Sequence, residues 1–153
     1  MTAYDRDLHG WALEQARALR ARSANEIDWE NVAEEIESLG KQQFGELTNR
    51  LVVLLTHLMK WAYQPERRGR SWTNTLREQR RQVGKILAEN PSLKPRMDEA
   101  LSDAYQTSIA SLSSLLDRDV DSFPTEPPFT WEQLLDRDWL PKAAEETEPP
   151  TSG

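Results

Sequence analysis

Apolar residues recur at helical spacing along most of the chain, and no stretch alternates long enough to predict a strand. The pattern predicts an all-α fold, a compact bundle of about five main helices with an irregular C-terminal arm. The central helix is expected over residues 42–63, where apolar side chains cover about half of the circumference. A surface helix has a narrower apolar stripe. This helix is therefore expected to be covered by several neighbours, and Pro65 is expected to end it.

Two helices are predicted before the central one. The first runs from Asp5 or Asp7 to about Arg22. The second is capped by Asp28 and ends at Gly40, because glycine commonly follows the last turn of a helix. The apolar face of this second helix consists of Trp29, Val32, Ile36 and Leu39. Core packing is the expected role of four tryptophans, namely Trp11, Trp29, Trp61 and Trp72.

Two more helices are predicted after Pro65. Ser71 is expected to cap a helix that ends near Asn90, since the following proline disfavours helical geometry there. The fifth helix is expected to start between residues 92 and 95 and to run to about Leu116.

The remainder of the chain is expected to be an arm followed by a tail. Thr130 and Gln133 form a capping box, which predicts a short helix over residues 131–135. Residues 142–153 are acidic, contain proline and lack periodic apolar positions, so a disordered tail is predicted. Residues 1–141 are accordingly expected to form one helical domain.

Charge is distributed unevenly along the 153 residues. The chain carries a net charge of −7, which disfavours general binding to nucleic acid or to anionic lipid. Eight basic residues against two glutamates lie between Lys60 and Lys85, so this stretch alone carries +6. We therefore expect a basic surface there, and it includes Arg67, Arg68, Arg70, Trp72, Arg77, Arg80, Arg81 and Lys85. Arginine binds phosphate and carboxylate in a bidentate manner, and Trp72 could stack on a base.

A solvated charged face with the tryptophans in the core is the simpler explanation of this segment, because any surface helix has a charged stripe opposite an apolar one. Acidic residues on the second helix offer a further explanation. Glu30, Glu34 and Glu37 lie together, away from its apolar stripe. They could pair with the arginines within the molecule, across a dimer or on a partner protein.

Little in the sequence predicts catalysis or a bound cofactor. The helical di-iron pattern requires Glu-x-x-His on two helices, and neither histidine stands in that relation to a glutamate. We therefore expect no metal and no cofactor. His57 and Lys60 form a possible polar site, but no orienting carboxylate can be identified for a catalytic histidine. Since cysteine is absent and no secretory leader is recognisable, we expect a cytoplasmic protein.

Several distinct motifs occur in a fixed order. They are Tyr4-Asp5-Arg6-Asp7 with Trp11, then Glu34-Glu35-Ile36-Glu37-Ser38-Leu39-Gly40, His57-Leu58-Met59-Lys60-Trp61, and Gln64-Pro65-Glu66-Arg67-Arg68 with Ser71-Trp72. Later come Pro91-Ser92-Leu93, Phe123-Pro124, Leu134-Leu135-Asp136 and Leu140-Pro141. Over residues 4–141 the chain closely resembles the bacterial family known as domain of unknown function 29. The resemblance implies a small all-helical fold and a bacterial setting, and it implies no activity.

Three functional hypotheses follow. The first is a non-enzymatic protein-interaction module that uses residues 64–85, with a protein partner or a second copy of the chain. Nucleic-acid binding through the same residues is the second. The third, an enzyme that uses His57 with glutamates, has the least support. No association with membranes is expected.

Overall fold

The computed structural model describes residues 2–144, which contain helices and no strands. The all-α prediction is thus confirmed. The contacts divide the chain into two compact units, residues 1–42 and 43–153. A single domain over residues 1–141 stays a prediction. Most of the predicted disordered tail, from residue 145 onward, lies outside the described residues.

The first unit opens with two helices, α1 (Ala3–Arg6) and α2 (Leu8–Arg20), where one had been predicted. Asp7 separates them, and its carboxylate accepts a hydrogen bond of 2.9 Å from the backbone N–H of Gly10. A Cβ at residue 10 would crowd this carboxylate, so a larger residue there would displace the cap. Since the cap satisfies a free N–H of α2, the chain starts a new helix at this point.

A short 3-10 turn, Ala24–Glu26, follows α2 and leads to Asp28. The buried side chain of Gln15 donates to the carbonyl of Glu26 and accepts from the N–H of Asp28. Trp11, also buried, donates through Nε1 to the Asp28 carboxylate at 3.2 Å. These bonds fix α2 against the start of the next helix.

The next helix, α3, runs without interruption over Trp29–Tyr63. The prediction that Gly40 separates two helices is wrong. Gly40 does not have a positive φ, and a glycine inside a helix costs only about 1 kcal/mol relative to alanine. Without a proline or a left-handed residue, the helix simply continues. The boundary between the two compact units falls within it, at Gln42.

The apolar face of the first part of α3 is not buried, contrary to prediction. Trp29, Ile36 and Leu39 are 60%, 64% and 60% exposed. Trp29 is therefore exposed, contrary to its predicted core packing, whereas Trp11 is buried within the first unit.

The second unit contains the core. It is built around the second part of α3, where Leu47, Leu51, Leu54 and Leu58 are fully buried, as predicted for the central apolar helix. Helices α4 (Arg70–Glu89) and α5 (Met97–Leu116) contribute the other large share of the core. Even the buried hydroxyl of Ser108 is satisfied, because it donates to the carbonyl of Val52 and accepts from Thr56.

Two predicted helix starts in this unit are shifted. The N-cap of α4 is Gly69 and no side chain caps it, so Ser71 lies inside the first turn instead of capping the helix. A 3-10 segment, Pro91–Arg96, precedes α5, so the fifth helix starts later than predicted. This segment contains Pro91 and Pro95, and short 3-10 segments are frequent at the N-termini of α-helices.

The C-terminal arm consists of residues 117–144, after the end of α5. It is irregular apart from a 3-10 turn, Val120–Ser122, and a short helix, α6 (Trp131–Leu135). The predicted capping box of Thr130 and Gln133 is present. Trp131 donates through Nε1 to Asp98 at 2.9 Å, and Trp139 packs at the edge of the core. The arm is thus held on the helices.

No helix within residues 2–144 combines the length and apolar character that crossing a membrane requires.

Candidate interaction surface

The predicted basic surface begins in the loop after α3, where Arg68 is already engaged. Its Nε donates to the carbonyl of Trp61 at 2.8 Å, and its guanidinium lies 5.1 Å from the centre of the Trp61 ring. That carbonyl belongs to the last turn of α3 and has no partner within the helix. A cation at this end also interacts favourably with the helix dipole. Arg68, half-buried, therefore caps the end of α3 before Pro65, and its Nε is not free for a ligand.

Lys60 and Trp72 form a second contact at the same end of the unit. The ammonium of Lys60 lies 4.9 Å from the centre of the Trp72 ring, and both side chains are half-buried. This cation–π contact leaves Trp72 partly covered, so its ring is not a free stacking platform.

The position of Arg80 differs most from the prediction. The helical pattern places this side chain on the charged face of α4, but it is only 5% exposed. Its guanidinium donates to four backbone carbonyls of the arm, at 2.8–3.2 Å. These carbonyls belong to Gln133, Leu134, Arg137 and Trp139.

The reason for this position lies in helical geometry. Arg80 follows Leu76 by four residues and precedes Leu87 by seven, so it shares their side of α4. Two of the four carbonyls lie in α6, whose last carbonyls have no partner within so short a helix. The guanidinium of Arg80 supplies the N–H donors that these carbonyls lack within the helix. Burial lowers the pKa of Arg80, and the nearby carboxylates of Asp136 and Asp138 oppose that shift.

Arg77 and Arg81 stay on the exposed face, as predicted, but each has a carboxylate partner. Arg77 pairs with Asp138 of the arm at 3.4 Å. Arg81 pairs with Glu78 at 2.8 Å, and this hydrogen bond, with one from Gln82, lowers the pKa of Glu78 to about 2. Both pairs are solvent-exposed, and such pairs contribute only about 0–1 kcal/mol each. A competing carboxylate could replace either partner at small cost.

Three residues of the predicted basic surface have no carboxylate partner in the second unit. Arg67, Arg70 and Lys85 are exposed, and no carboxylate within residues 43–144 forms an ion pair with them. With 1.5 Å per residue, Arg70 and Lys85 are about 22 Å apart along α4. Arg77 and Arg81 lie between them, within about 80° of one side of the helix. We call Arg67, Arg70, Arg77, Arg81 and Lys85 the basic stripe.

The predicted acidic residues belong to the first unit, where Glu30, Glu34 and Glu37 are all exposed. Their pairing with the arginines of residues 67–85 stays a prediction. A neighbouring glutamate that the sequence did not single out has a defined contact. Glu35 accepts a hydrogen bond from the hydroxyl of Tyr4, and this bond raises the pKa of Tyr4 to about 12.

His57 lies half-buried on α3, where Nδ1 donates to the carbonyl of Val53 at 2.9 Å. Burial lowers the pKa of His57, the hydrogen bond to Val53 opposes this shift, and the charge of Lys60 adds to it. A carbonyl of its own helix thus accepts from Nδ1, the atom that a carboxylate holds in a catalytic triad.

Metal ligands are not assembled in the part of the chain that the structure describes. Among residues 2–144, no three His, Asp or Glu side chains are grouped in a way that could hold a metal ion.

Comparison with known proteins bears on the family alone. No curated protein and no solved structure matches the chain. The sequence model of one family, described as Domain of unknown function DUF29, matches residues 3–140. This match spans nearly the whole chain and agrees with the motifs distributed from Tyr4 to Pro141. The chain therefore belongs to the DUF29 family.

Proposed function

We propose that this protein is a non-enzymatic interaction module that binds another protein through the basic stripe. The observation that carries the proposal is the row of exposed cations formed by Arg67 and four residues of α4, in which Arg67, Arg70 and Lys85 have no carboxylate partner in residues 43–144. A row about 22 Å long suits an extended protein surface better than a small ligand. Arginine forks match carboxylates in pairs, so the partner presents Asp or Glu side chains.

The charges favour a protein partner over nucleic acid. A protein that makes about 6–10 phosphate contacts has a steep salt dependence, whereas the five cations of the basic stripe would give a salt slope of at most about −4.5. The net charge of −7 opposes a polyanion further. Nucleic-acid binding through the same Arg/Trp segment is the second candidate. We also propose a bacterial, cytoplasmic setting, which the family resemblance and the absence of cysteine support.

A capture experiment with matched variants tests the proposal. The immobilised parent protein is compared with Arg67→Gln/Arg70→Gln/Lys85→Gln for the proteins it retains from a bacterial lysate. Because all three side chains are exposed, this variant should fold as the parent does. The control, Lys41→Gln/Lys94→Gln/Lys142→Gln, removes the same charge from exposed positions elsewhere.

We expect a protein that the parent and the control retain and the stripe variant loses. Retention of the same proteins by all three would contradict the proposal. Mobility-shift assays with DNA and RNA over a range of salt concentrations test the second candidate. Loss of a nucleic-acid complex in the stripe variant alone would replace the protein partner with nucleic acid.

A further inference from the structure

The first part of α3 presents a row of exposed apolar side chains to solvent. Six of the nine exposed large apolar residues of the described chain lie between Leu8 and Leu39. Trp29, Ile36 and Leu39, with the half-buried Val32, recur at spacings of three and four residues. Side chains so spaced occupy about 80° of a helix surface. We call these four residues the apolar seam.

One edge of the apolar seam is lined by small residues and then by carboxylates. Gly40 and Ala33 lie next to the seam around the helix, and a Cβ at Gly40 would meet no atom within 4 Å. Glu37 and Glu30 follow, about 80–100° round the helix from Trp29. The small residues let a neighbouring helix approach closely, and a long basic side chain can reach across them to the carboxylates.

The charge of this segment selects the partner. Residues 28–42 carry five carboxylates and one lysine. Two of the five are engaged within the unit, Asp28 with Trp11 and Asn31, and Glu35 with Tyr4. The others, Glu30, Glu34 and Glu37, are exposed. A partner that covers the seam must therefore be apolar on one face and positively charged beside it.

A second copy of this chain fits less well. At about 60% exposure, three side chains of at most about 250 Å² each offer no more than about 450 Å², against roughly 800 Å² per partner in a stable interface. An antiparallel pair of identical helices would also place the Glu30–Glu37 edges against each other. A single amphipathic helix binds through apolar anchors at spacings of three and four residues, which is also the spacing of the seam.

We propose that the apolar seam of α3 is a docking site for a basic amphipathic helix of a partner protein. The apolar side of that helix covers Trp29, Ile36 and Leu39, and its lysines or arginines reach Glu30 and Glu37. This surface belongs to the first unit and does not depend on the basic stripe.

The test uses a labelled helical peptide of about 15 residues, which is long enough to span the roughly 15 Å from Trp29 to Leu39. Its leucines recur at i, i+3, i+4 and i+7, and its remaining positions are lysine, glutamine and alanine. A second peptide carries glutamate in place of every lysine. Fluorescence anisotropy measures the affinity of each peptide for the full chain at low and at physiological salt.

Two pairs of variants separate the apolar contribution from the charged one. Ile36→Ala/Leu39→Ala shortens the seam, and Leu115→Ala/Val120→Ala removes similarly exposed apolar side chains elsewhere. Glu30→Gln/Glu37→Gln removes the acidic edge, and Glu89→Gln/Glu126→Gln removes two exposed charges far from the seam in the sequence. Because all of these side chains are exposed, circular dichroism should show folded proteins in each case.

We expect the basic peptide to bind the parent and the acidic peptide not to bind. Ile36→Ala/Leu39→Ala should weaken binding by about tenfold or more, and Glu30→Gln/Glu37→Gln should weaken it severalfold and flatten its salt dependence. Both control variants should bind as the parent does. Equal binding of the two peptides, no binding of the basic one, or no effect of the seam variant would overturn the proposal. So would light scattering that shows a dimer which only the seam variant dissociates, since a second copy would then cover the seam.

Discussion

Replacement of Arg80 by methionine tests whether one buried guanidinium holds the C-terminal arm on α4. The change keeps most of the side-chain volume and removes four hydrogen bonds to backbone carbonyls. Each hydrogen bond from a charged group contributes roughly 1.5–3 kcal/mol, while release of a buried charge returns several kcal/mol. The net loss expected in the free energy of unfolding is about 3–5 kcal/mol. For a chain of this size, that loss lowers Tm by roughly 6–20 °C.

Urea unfolding followed by circular dichroism measures the loss, and limited trypsin digestion reports on the arm. Arg137 is exposed within the arm, so cleavage after it should accelerate once the arm detaches. The matched control is Arg81→Met, one residue further along α4, whose exposed pair with Glu78 predicts a loss below about 1 kcal/mol. If Arg80→Met unfolded within about 1 kcal/mol of the parent and resisted trypsin equally, the anchoring role of Arg80 would be refuted.

Three further predictions concern α3. Gly40→Ala should stabilise the protein by about 0.5–1 kcal/mol in thermal unfolding, because residue 40 lies inside a helix with open space at Cβ; destabilisation would show that the helix ends there. Leu54→Ala, at a fully buried position, should cost about 2–5 kcal/mol in urea unfolding, whereas a cost below about 1 kcal/mol would contradict its place in the core. His57 should titrate below its ordinary pKa of 6.5 by NMR. The unfolded protein then binds the proton on His57 at a higher pH than the folded one, so stability should fall as pH drops below about 6.5. This part of the loss should be missing in His57→Gln, and a titration midpoint at or above 6.5 in the folded protein would contradict the prediction.

The candidate site was partly predictable. Arg77, Arg81 and Lys85 lie on the exposed face of α4, as the helical pattern indicated. The burial of Arg80 could have been foreseen, since it follows Leu76 by four residues and so falls on the apolar side. The hydrogen-bond partners of Arg80 could not have been foreseen, because the sequence does not indicate which backbone carbonyls of the arm lie near this side chain.

Gly40 and Trp29 show where local rules were overridden. Glycine marks a helix end only when the chain adopts a left-handed residue there, and nothing requires one at Gly40. The apolar periodicity of Trp29, Ile36 and Leu39 was correctly identified, but periodicity specifies a face and not what covers it. The exposed seam therefore became visible only in the structure.

By itself, the sequence determined the helical class and the capping box at Thr130, because both depend on residues close along the chain. It also determined that the second part of α3 is buried, because apolar side chains cover about half of its circumference and must be removed from water. Tertiary structure alone decided which charges stay free. Arg80 donates to carbonyls of the arm, which are distant along the chain, and Arg68 donates to a carbonyl at the end of α3. Arg77 pairs with a carboxylate of the arm. Pairing of this kind depends on three-dimensional proximity and on burial, and neither follows from charge counted along the chain.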